Sequence, residues 1–253
     1  MNLGHCIDRV IPIARAAGAA ILAVYATPFD VRRKADASPV TEADEKAEAI
    51  IVAGLRELDP DIPVVAEEEV SKGHVPELGD CFWLVDPLDG TKEFIGRNGE
   101  FTVNIALIED GRPVLGVVYA PALGRLYAGA EGAGAFVERD GARRDIRCRS
   151  CPAEGYNVVA SRSHNDPAAL DAFLAGRPVA TLSNAGSSLK LCLIAEGTAD
   201  LYPRLGPTME WDIAAGHAIV NAAGGKVTCL DGSELRYGKG DFRNPYFVAA
   251  GMP

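Results

Sequence analysis

Two carboxylates three positions apart, Asp86 and Asp89, end an apolar run in Trp83-Leu84-Val85-Asp86-Pro87-Leu88-Asp89-Gly90-Thr91-Lys92-Glu93-Phe94. A run of strand type that stops in two acids, with a proline between them and a Gly-Thr step behind them, brings chemistry to the end of a strand. Pro87 fixes the backbone, so both carboxylates and the Leu88 carbonyl can converge on one small volume. Hard oxygen ligands of this kind suit Mg²⁺ or Mn²⁺ rather than zinc. Gly90 and Thr91 open a short helix whose free N–H groups can hold a phosphate opposite such ions. The tetrad Asp86-Pro87-Leu88-Asp89 taken alone also reads as an acidic surface turn.

The same pattern occurs about twenty residues earlier. Ile62-Pro63-Val64-Val65-Ala66 reads as a short buried strand that runs into Glu67-Glu68-Glu69. Three adjacent glutamates are usually a solvated patch, but a second strand ending in acids makes a shared site plausible, with Glu67 the first to point inward. Three further acids have sufficient structural explanations. Asp44 lies three residues after Thr41, the spacing of a capping box at the start of a helix. Glu210 and Asp212, in Thr208-Met209-Glu210-Trp211-Asp212, fall in the first turn of another helix, where the dipole favours an acid without any function.

The elements that must position these groups follow from periodicity. Ile7, Val10, Ile11, Ala14, Ala17, Ile21 and Val24 predict an amphipathic first helix over Cys6 to Tyr25, and Ala47, Ile50, Ile51 and Leu55 predict a second after Thr41. Phe101 to Ile108 and Val114 to Tyr119 flank Glu109-Asp110-Gly111-Arg112, a hairpin signal, and strands at Leu126 to Ala128 and Ala135 to Val137 continue an antiparallel sheet. The glycines from 129 to 134 do not complete a dinucleotide-binding fingerprint. Around Gly141 to Ser150 the chain turns polar and basic, a soft boundary between a half over residues 1–145 and a half over 146–253. The second half alternates strand (Asn157 to Ala160), helix (Pro167 to Ala175), helix (Ser187 to Ala195), strand (Ala199 to Tyr202) and helix (Glu210 to Ala223). Strands at Lys226 to Cys229 and Tyr246 to Ala250 close it, so an α/β layer is expected.

A chain of 253 residues with 48% hydrophobic content can bury a sizeable core, and its formal charge of −10 excludes a binder of long nucleic acids, which needs clustered Lys and Arg. Bound divalent ions would neutralise several acids and let the same pocket accept an anion. Six scattered cysteines without a leader segment are expected to be reduced thiols, and Cys148-Arg149-Ser150-Cys151 lacks the second pair of a zinc site. No stretch of eighteen apolar residues occurs, so a cytoplasmic protein is expected, with peripheral association at the inner membrane left open.

Glu67-Glu68, Asp86-Pro87-Leu88-Asp89-Gly90-Thr91 and Trp211-Asp212, followed by Gly224-Gly225, resemble in order and spacing the inositol monophosphatase superfamily of magnesium-dependent, lithium-sensitive phosphatases. The resemblance runs from about Ile13 to the C-terminus. The extended run from Asp86 through Lys92-Glu93-Phe94 to Pro121 is similar to the CysQ-type 3′(2′),5′-bisphosphate nucleotidase branch, which serves sulfate assimilation. The resemblance implies a layered α-β-α-β-α sandwich and removal of the 3′-phosphate from adenosine 3′,5′-bisphosphate, or from its sulfated form. It implies two Mg²⁺ ions, replaceable by Mn²⁺. One would be held by Glu67, Asp86 and the Leu88 carbonyl, the other by Asp86, Asp89 and Asp212. A third, weaker ion would use Glu67 and Asp44. Glu68 would orient a water, Asp44 with Thr91 would position or deprotonate the nucleophilic water, and the Gly90 and Thr91 amides would hold the scissile phosphate. His164, the segment Ser187-Ser188-Leu189-Lys190 and Arg204 stand where such nucleotidases contact the nucleotide and its second phosphate.

Other substrates for the same chemistry remain open: inositol monophosphate, fructose 1,6-bisphosphate or histidinol phosphate. A non-catalytic sensor of divalent ions is a further alternative, although it has no use for an anion-holding turn beside the acids. A Ca²⁺ loop of the EF-hand type is absent. A monomer and a homodimer are both compatible with the chain.

Overall fold

The structure is a computed structural model and describes residues 2–33, 39–162 and 166–252. The first element, α1 (Leu3–Tyr25), buries the predicted stripe of Ile7, Val10, Ile11, Ala14, Ala17, Ile21 and Val24. A two-stranded ribbon, β1 (Arg32–Arg33) with β2 (Pro39–Val40), leads to α2 (Glu42–Leu58). α1 and α2 pack on each other and on one face of a seven-stranded sheet. That sheet comprises β3 (Val64–Ala66), β4 (Cys81–Asp89), β5 (Thr102–Glu109), β6 (Arg112–Ala120), β7 (Arg125–Ala130), β8 (Gly134–Arg139) and β9 (Ala142–Ile146), in sequence order across the sheet. Only β3 and β4 run parallel. Between β3 and β4 lies a short helix, α3 (Glu67–Ser71), and after β4 another, α4 (Thr91–Ile95).

β4 to β7 are buried on both faces, which is why their sequences are nearly continuous apolar runs rather than alternating ones. Trp83, Val85, Ile105 and Leu107 face the helix pair, whereas Phe82, Leu84, Ala106 and Ile108 face the opposite side. The β5–β6 connection is a two-residue turn with Asp110 and Gly111 both at positive φ (50° and 71°), the type I′ geometry that matches strand twist.

The polar, basic stretch read as an inter-half boundary contains a strand: β9 pairs with β8 at the sheet edge. Its Arg143, Arg144 and Asp145 are exposed, and a charged edge strand carries no apolar alternation to betray it.

The second half contributes β10 (Tyr156–Ser161), α5 (Pro167–Leu174), β11 (Val179–Ala185), α6 (Leu189–Ala195), β12 (Leu201–Arg204), α7 (Glu210–Ala222), β13 (Lys226–Cys229) and β14 (Phe247–Ala250). The five strands are ordered β11-β10-β12-β14-β13, with β10, β11 and β12 parallel. The sequence reading missed β11 because six of its seven residues are exposed and no periodic apolar pattern marks it. From β10 the chain crosses through α5 to one side of the sheet, and from β11 it crosses back through α6 to the other. Right-handed crossovers in opposite directions put α5 and α6 on opposite faces. The layers are therefore α1/α2, seven-stranded sheet, α6/α7, five-stranded sheet and α5. α7 lies across β5, β6 and β7 and packs on α6. One apolar cluster joins Leu84, Ile108 and Val118 of the first sheet to Val159, Tyr202 and Phe247 of the second through Ile219 and Leu191. Among the described residues no helix is long and apolar enough to cross a membrane.

Candidate active site

Asp86 and Asp89 share one face of the sheet because β4 is bulged between them. Asp86 pairs with Asn104 and Asp89 with Thr102, so three steps along β4 oppose two along β5. In a regular strand residues i and i+3 point to opposite faces; one extra residue restores them to the same face. Pro87 fits there because a bulge needs no ladder N–H from that position. The Asp86 carboxylate stabilises the bulge by accepting the Leu88 N–H at 3.0 Å. Gly90 then takes a left-handed conformation (φ 92°) as the chain enters α4.

A cavity of about 540 Å³, within the range of small-molecule sites, opens at this point. Glu67, Asp86, Leu88, Asp89, Gly90, Thr91 and Asp212 line one side of it. Ser187, Lys190, Tyr202 and Arg204 line the other. These latter residues lie near the carboxyl ends of β11 and β12, beside the point where the order of the second sheet reverses, a place where open α/β sheets bind ligands.

The acids are crowded together, Asp86 buried and Glu67, Asp89 and Asp212 half-buried. Burial first, then repulsion from Glu67, Asp89 and Asp212, pushes the Asp86 carboxyl well above its ordinary range, and a hydrogen bond links it to Glu67. Asp212 is pushed up likewise, by burial and then by Asp89 and Glu67. Asp89 rises to about 6, chiefly through burial, with Lys190 and the Ser188 N–H pulling the other way. Asp212 also accepts the Met209 N–H at 2.9 Å, so it caps α7 and faces the cavity at once. Glu210, by contrast, is fully buried elsewhere and binds the Gly238 and Lys239 amides at 2.7 and 3.0 Å. Among the described residues no three His, Cys, Asp or Glu side chains are already gathered round a common point as metal ligands. The donor set, however, is all oxygen, and the repulsion among these acids is what bound cations relieve, so these residues fit hard divalent cations.

Asp44 does two things. Its Oδ2 accepts the Thr41 N–H and hydroxyl, both at 2.8 Å, closing the capping box, while its Oδ1 faces the Thr91 hydroxyl at 3.4 Å. That hydroxyl is also 3.4 Å from the Leu88 carbonyl. Glu67 stands on the cavity wall, and Glu68 is buried behind it at the start of α3.

On the opposite wall Lys190 is buried, and its ammonium donates to the carbonyls of Ala185 and Ser187. Burial lowers it to about 8, with Asp89 opposing the shift. Arg204 is buried, donates through Nη2 to the Pro207 carbonyl at 2.7 Å, and keeps its Nε without a hydrogen-bond partner among the described residues. Ser187 adopts φ 43°, and its hydroxyl is likewise buried and unpartnered. His164 lies outside the described residues.

Three positions went unread in the sequence. Thr102 and Asn104 are the polar pair, at i and i+2, in the otherwise apolar strand β5; that spacing puts both on the Asp86 face and was the available signal. The Thr102 hydroxyl donates to Ser188 Oγ at 2.9 Å, Ser188 donates to Asn104 Oδ1 at 2.7 Å, and Asn104 reaches Asp89 at 3.5 Å. Glu48 follows Asp44 by four residues on the buried face of α2 and accepts the Glu68 N–H at 2.8 Å. Burial pushes Glu48 to about 7.

The inositol monophosphatase family model matches residues 5–250. The 3′(2′),5′-bisphosphate nucleotidase CysQ of Escherichia coli strain K12 is 52% identical over 244 residues, which span 95% of this chain and 98% of that one. The crystal structure of CysQ from Bacteroides thetaiotaomicron superposes with a TM-score of 0.82 at 41% identity, covering 100% of this chain and 99% of the other. An inositol monophosphatase from Anabaena matches at 27% identity with a TM-score of 0.79, over 100% and 92% of the two chains. The bulged strand, the acids it turns to one face and a fold shared along its whole length place this chain in the inositol monophosphatase family.

Proposed function

We propose that this chain is a phosphomonoesterase that removes the 3′-phosphate of adenosine 3′,5′-bisphosphate, giving AMP and inorganic phosphate. The observation that carries this reading is the two-sided cavity: crowded acids on one wall face Lys190 and Arg204 on the other. A substrate with two phosphates answers both walls, one phosphate at the acids through cations and the other at the buried bases. The relatives named as 3′(2′),5′-bisphosphate nucleotidases, identical at about half of all positions, support the same choice of substrate.

Dependence on divalent metal is typical of the family, and here Mg²⁺ is the proposed ion, two per chain, with Mn²⁺ a substitute. Glu67, Asp86 and the Leu88 carbonyl would hold one, and Asp86, Asp89 and Asp212 the other. A weaker third would use Glu67 and Asp44. Such ions supply Lewis-acid stabilisation of the phosphoryl oxygens and a more acidic attacking water. The Gly90 and Thr91 amides, at the entry to α4, orient the phosphate that leaves. With its Oδ2 saturated by Thr41, Asp44 presents Oδ1 to the Thr91 hydroxyl, so the hydroxyl oxygen is turned towards the water and accepts from it. Glu68, buried beside Glu67, orients the same water. Lys190, Arg204 and Ser187 read the second phosphate, the arginine through its forked donors. In this division of labour residues 1–145 carry the metal ligands except Asp212, and residues 146–253 supply Asp212 and the substrate contacts.

The test is phosphate release from adenosine 3′,5′-bisphosphate, inositol 1-phosphate and fructose 1,6-bisphosphate with Mg²⁺, each with and without lithium. A preference for the nucleotide, inhibited by lithium, is expected. Preference for inositol or sugar phosphate would keep the metal site and discard the substrate.

A further inference from the structure

The turn that carries Ser187 is held from the other half of the molecule. Glu100, just ahead of β5, accepts the Gly186 N–H at 2.7 Å through Oε2. Both of its carboxylate oxygens lie 2.9 Å from Nη2 of Arg162, at the end of β10, and the same Nη2 is 3.5 Å from the Asn184 carbonyl. Glu100 thus links the start of β5 to two successive strand ends of the second sheet. The turn itself is tight. A Cβ on Gly186 would fall 2.9 Å from the Glu100 carbonyl oxygen and from Glu93 Cγ, and one on Gly90 would meet the Ser187 side chain at 3.3 Å. Ser187 has a left-handed φ, which is strained for a non-glycine residue and persists only when the surroundings fix it. Lys190 fixes the carbonyls of Ala185 and Ser187, and Glu100 fixes the intervening amide.

We propose that Glu100, charge-paired with Arg162, is a positioning residue for substrate affinity: it locks the Gly186-Ser187 turn against Gly90, and so sets the distance between the acid wall and the basic wall. This rests on the nucleotidase reading for the identity of the second phosphate, but not for the mechanical role. Unlike Lys190 and Arg204, Glu100 and Arg162 are not on the cavity wall. Their effect passes through Ser187 and Lys190, and an acid serves an anion site here only because its charge is spent on Arg162 and a main-chain amide.

The experiment combines amide hydrogen exchange with steady-state kinetics on Glu100→Ala, Glu100→Gln and Arg162→Ala, using whichever phosphomonoester the wild-type protein hydrolyses. In Glu100→Ala the Gly186 amide should exchange about 10-fold faster while β5 keeps its protection. KM should rise about 10-fold, with kcat within about 3-fold of wild type. Glu100→Gln keeps an oxygen acceptor for the amide and should recover most of both, and Arg162→Ala should fall between. Wild-type exchange and KM in Glu100→Ala would overturn the proposal, as would a loss confined to kcat. If Glu100→Ala does not fold, the other two decide: wild-type exchange at Gly186 in Arg162→Ala, or a fully unprotected Gly186 in Glu100→Gln, would overturn it. Failure of wild-type protein to hydrolyse any nucleotide would remove the nucleotidase reading, and the exchange data would still decide the role of Glu100.

Discussion

On the wall built by β4 and α7, Asp86 is buried with Asp89 and Asp212 half-buried beside it, and desolvation with repulsion from neighbouring acids pushes all three upward. On the wall built by α6 and β12, Lys190 and Arg204 are buried, and each spends donors on main-chain carbonyls. On the acid wall repulsion and burial outweigh the amides and the lysine that oppose them; the basic wall has its charge already organised by the backbone. The first gains most from an added cation, and the second from an anion of fixed shape that completes donors left over, such as Arg204 Nε and the Ser187 hydroxyl. Catalytic power should therefore reside on one side and discrimination on the other.

The sharpest break in that contrast is Asp89→Asn. Loss of one anionic ligand should lower kcat by about 10²–10³-fold or more, while the metal-free protein melts at the same or a higher temperature because a buried repulsion is gone. Phosphate release and a thermal melt in chelator check both halves; retained turnover would remove the two-ion assignment. Lys190→Met comes next. A charge-assisted hydrogen bond is worth about 1.5–3 kcal/mol, so KM for the bisphosphate should rise about 10–100-fold while a substrate with one phosphate is spared. Equal losses on both substrates would mean that Lys190 serves only to hold the Ser187 turn.

Titration sharpens the comparison further. Asp89 is raised from 3.8 to about 6, so between those values the native state binds more protons than the unfolded chain, and metal-free stability falls as pH rises. Protons and Mg²⁺ compete across that window, so the thermal gain on adding Mg²⁺ should be small at about pH 5 and full above about pH 7. Lys190 is lowered from 10.5 to about 8, so the unfolded chain holds the extra proton between those values and stability without ligand rises with pH there. Its cationic form fades above about pH 8, so KM for the bisphosphate should climb there. The smallest effect is expected at Glu48→Gln, which keeps the acceptor for the Glu68 amide: a stability change within about 0.5 kcal/mol and near-normal kcat. A collapse of kcat in that variant would extend the acid wall into α2.

Where side chains repeat with the period of their element, the sequence disclosed the fold: the stripe of α1 and the turn between β5 and β6 lie where periodicity and Asp110-Gly111 put them. β9 and β11 were silent because exposed edge strands need no apolar alternation. For the site, strands ending in acids pointed to Glu67, Asp86 and Asp89, but no local pattern separates a helix-capping aspartate from one that also faces a cavity. Asp212 is both, and Asp44 caps α2 while touching Thr91 on the cavity wall. Glu100 and Arg162 meet across 62 residues, and a pairing of that span leaves no mark on either neighbourhood.

The order of strands in the second sheet also bears on how the chain is made. β14 inserts between β12 and β13, both of which leave the ribosome before it. The first sheet is synthesised early, but the face carrying Leu84, Ala106 and Val118 stays uncovered until α7 emerges, and the layer behind α7 cannot close until residues 247–250 arrive. A nascent chain paused after β9 therefore presents an apolar sheet face, a substrate for chaperones, and a message truncated just before β14 would yield a product with every proposed metal ligand but without the strand that joins β12 to β13.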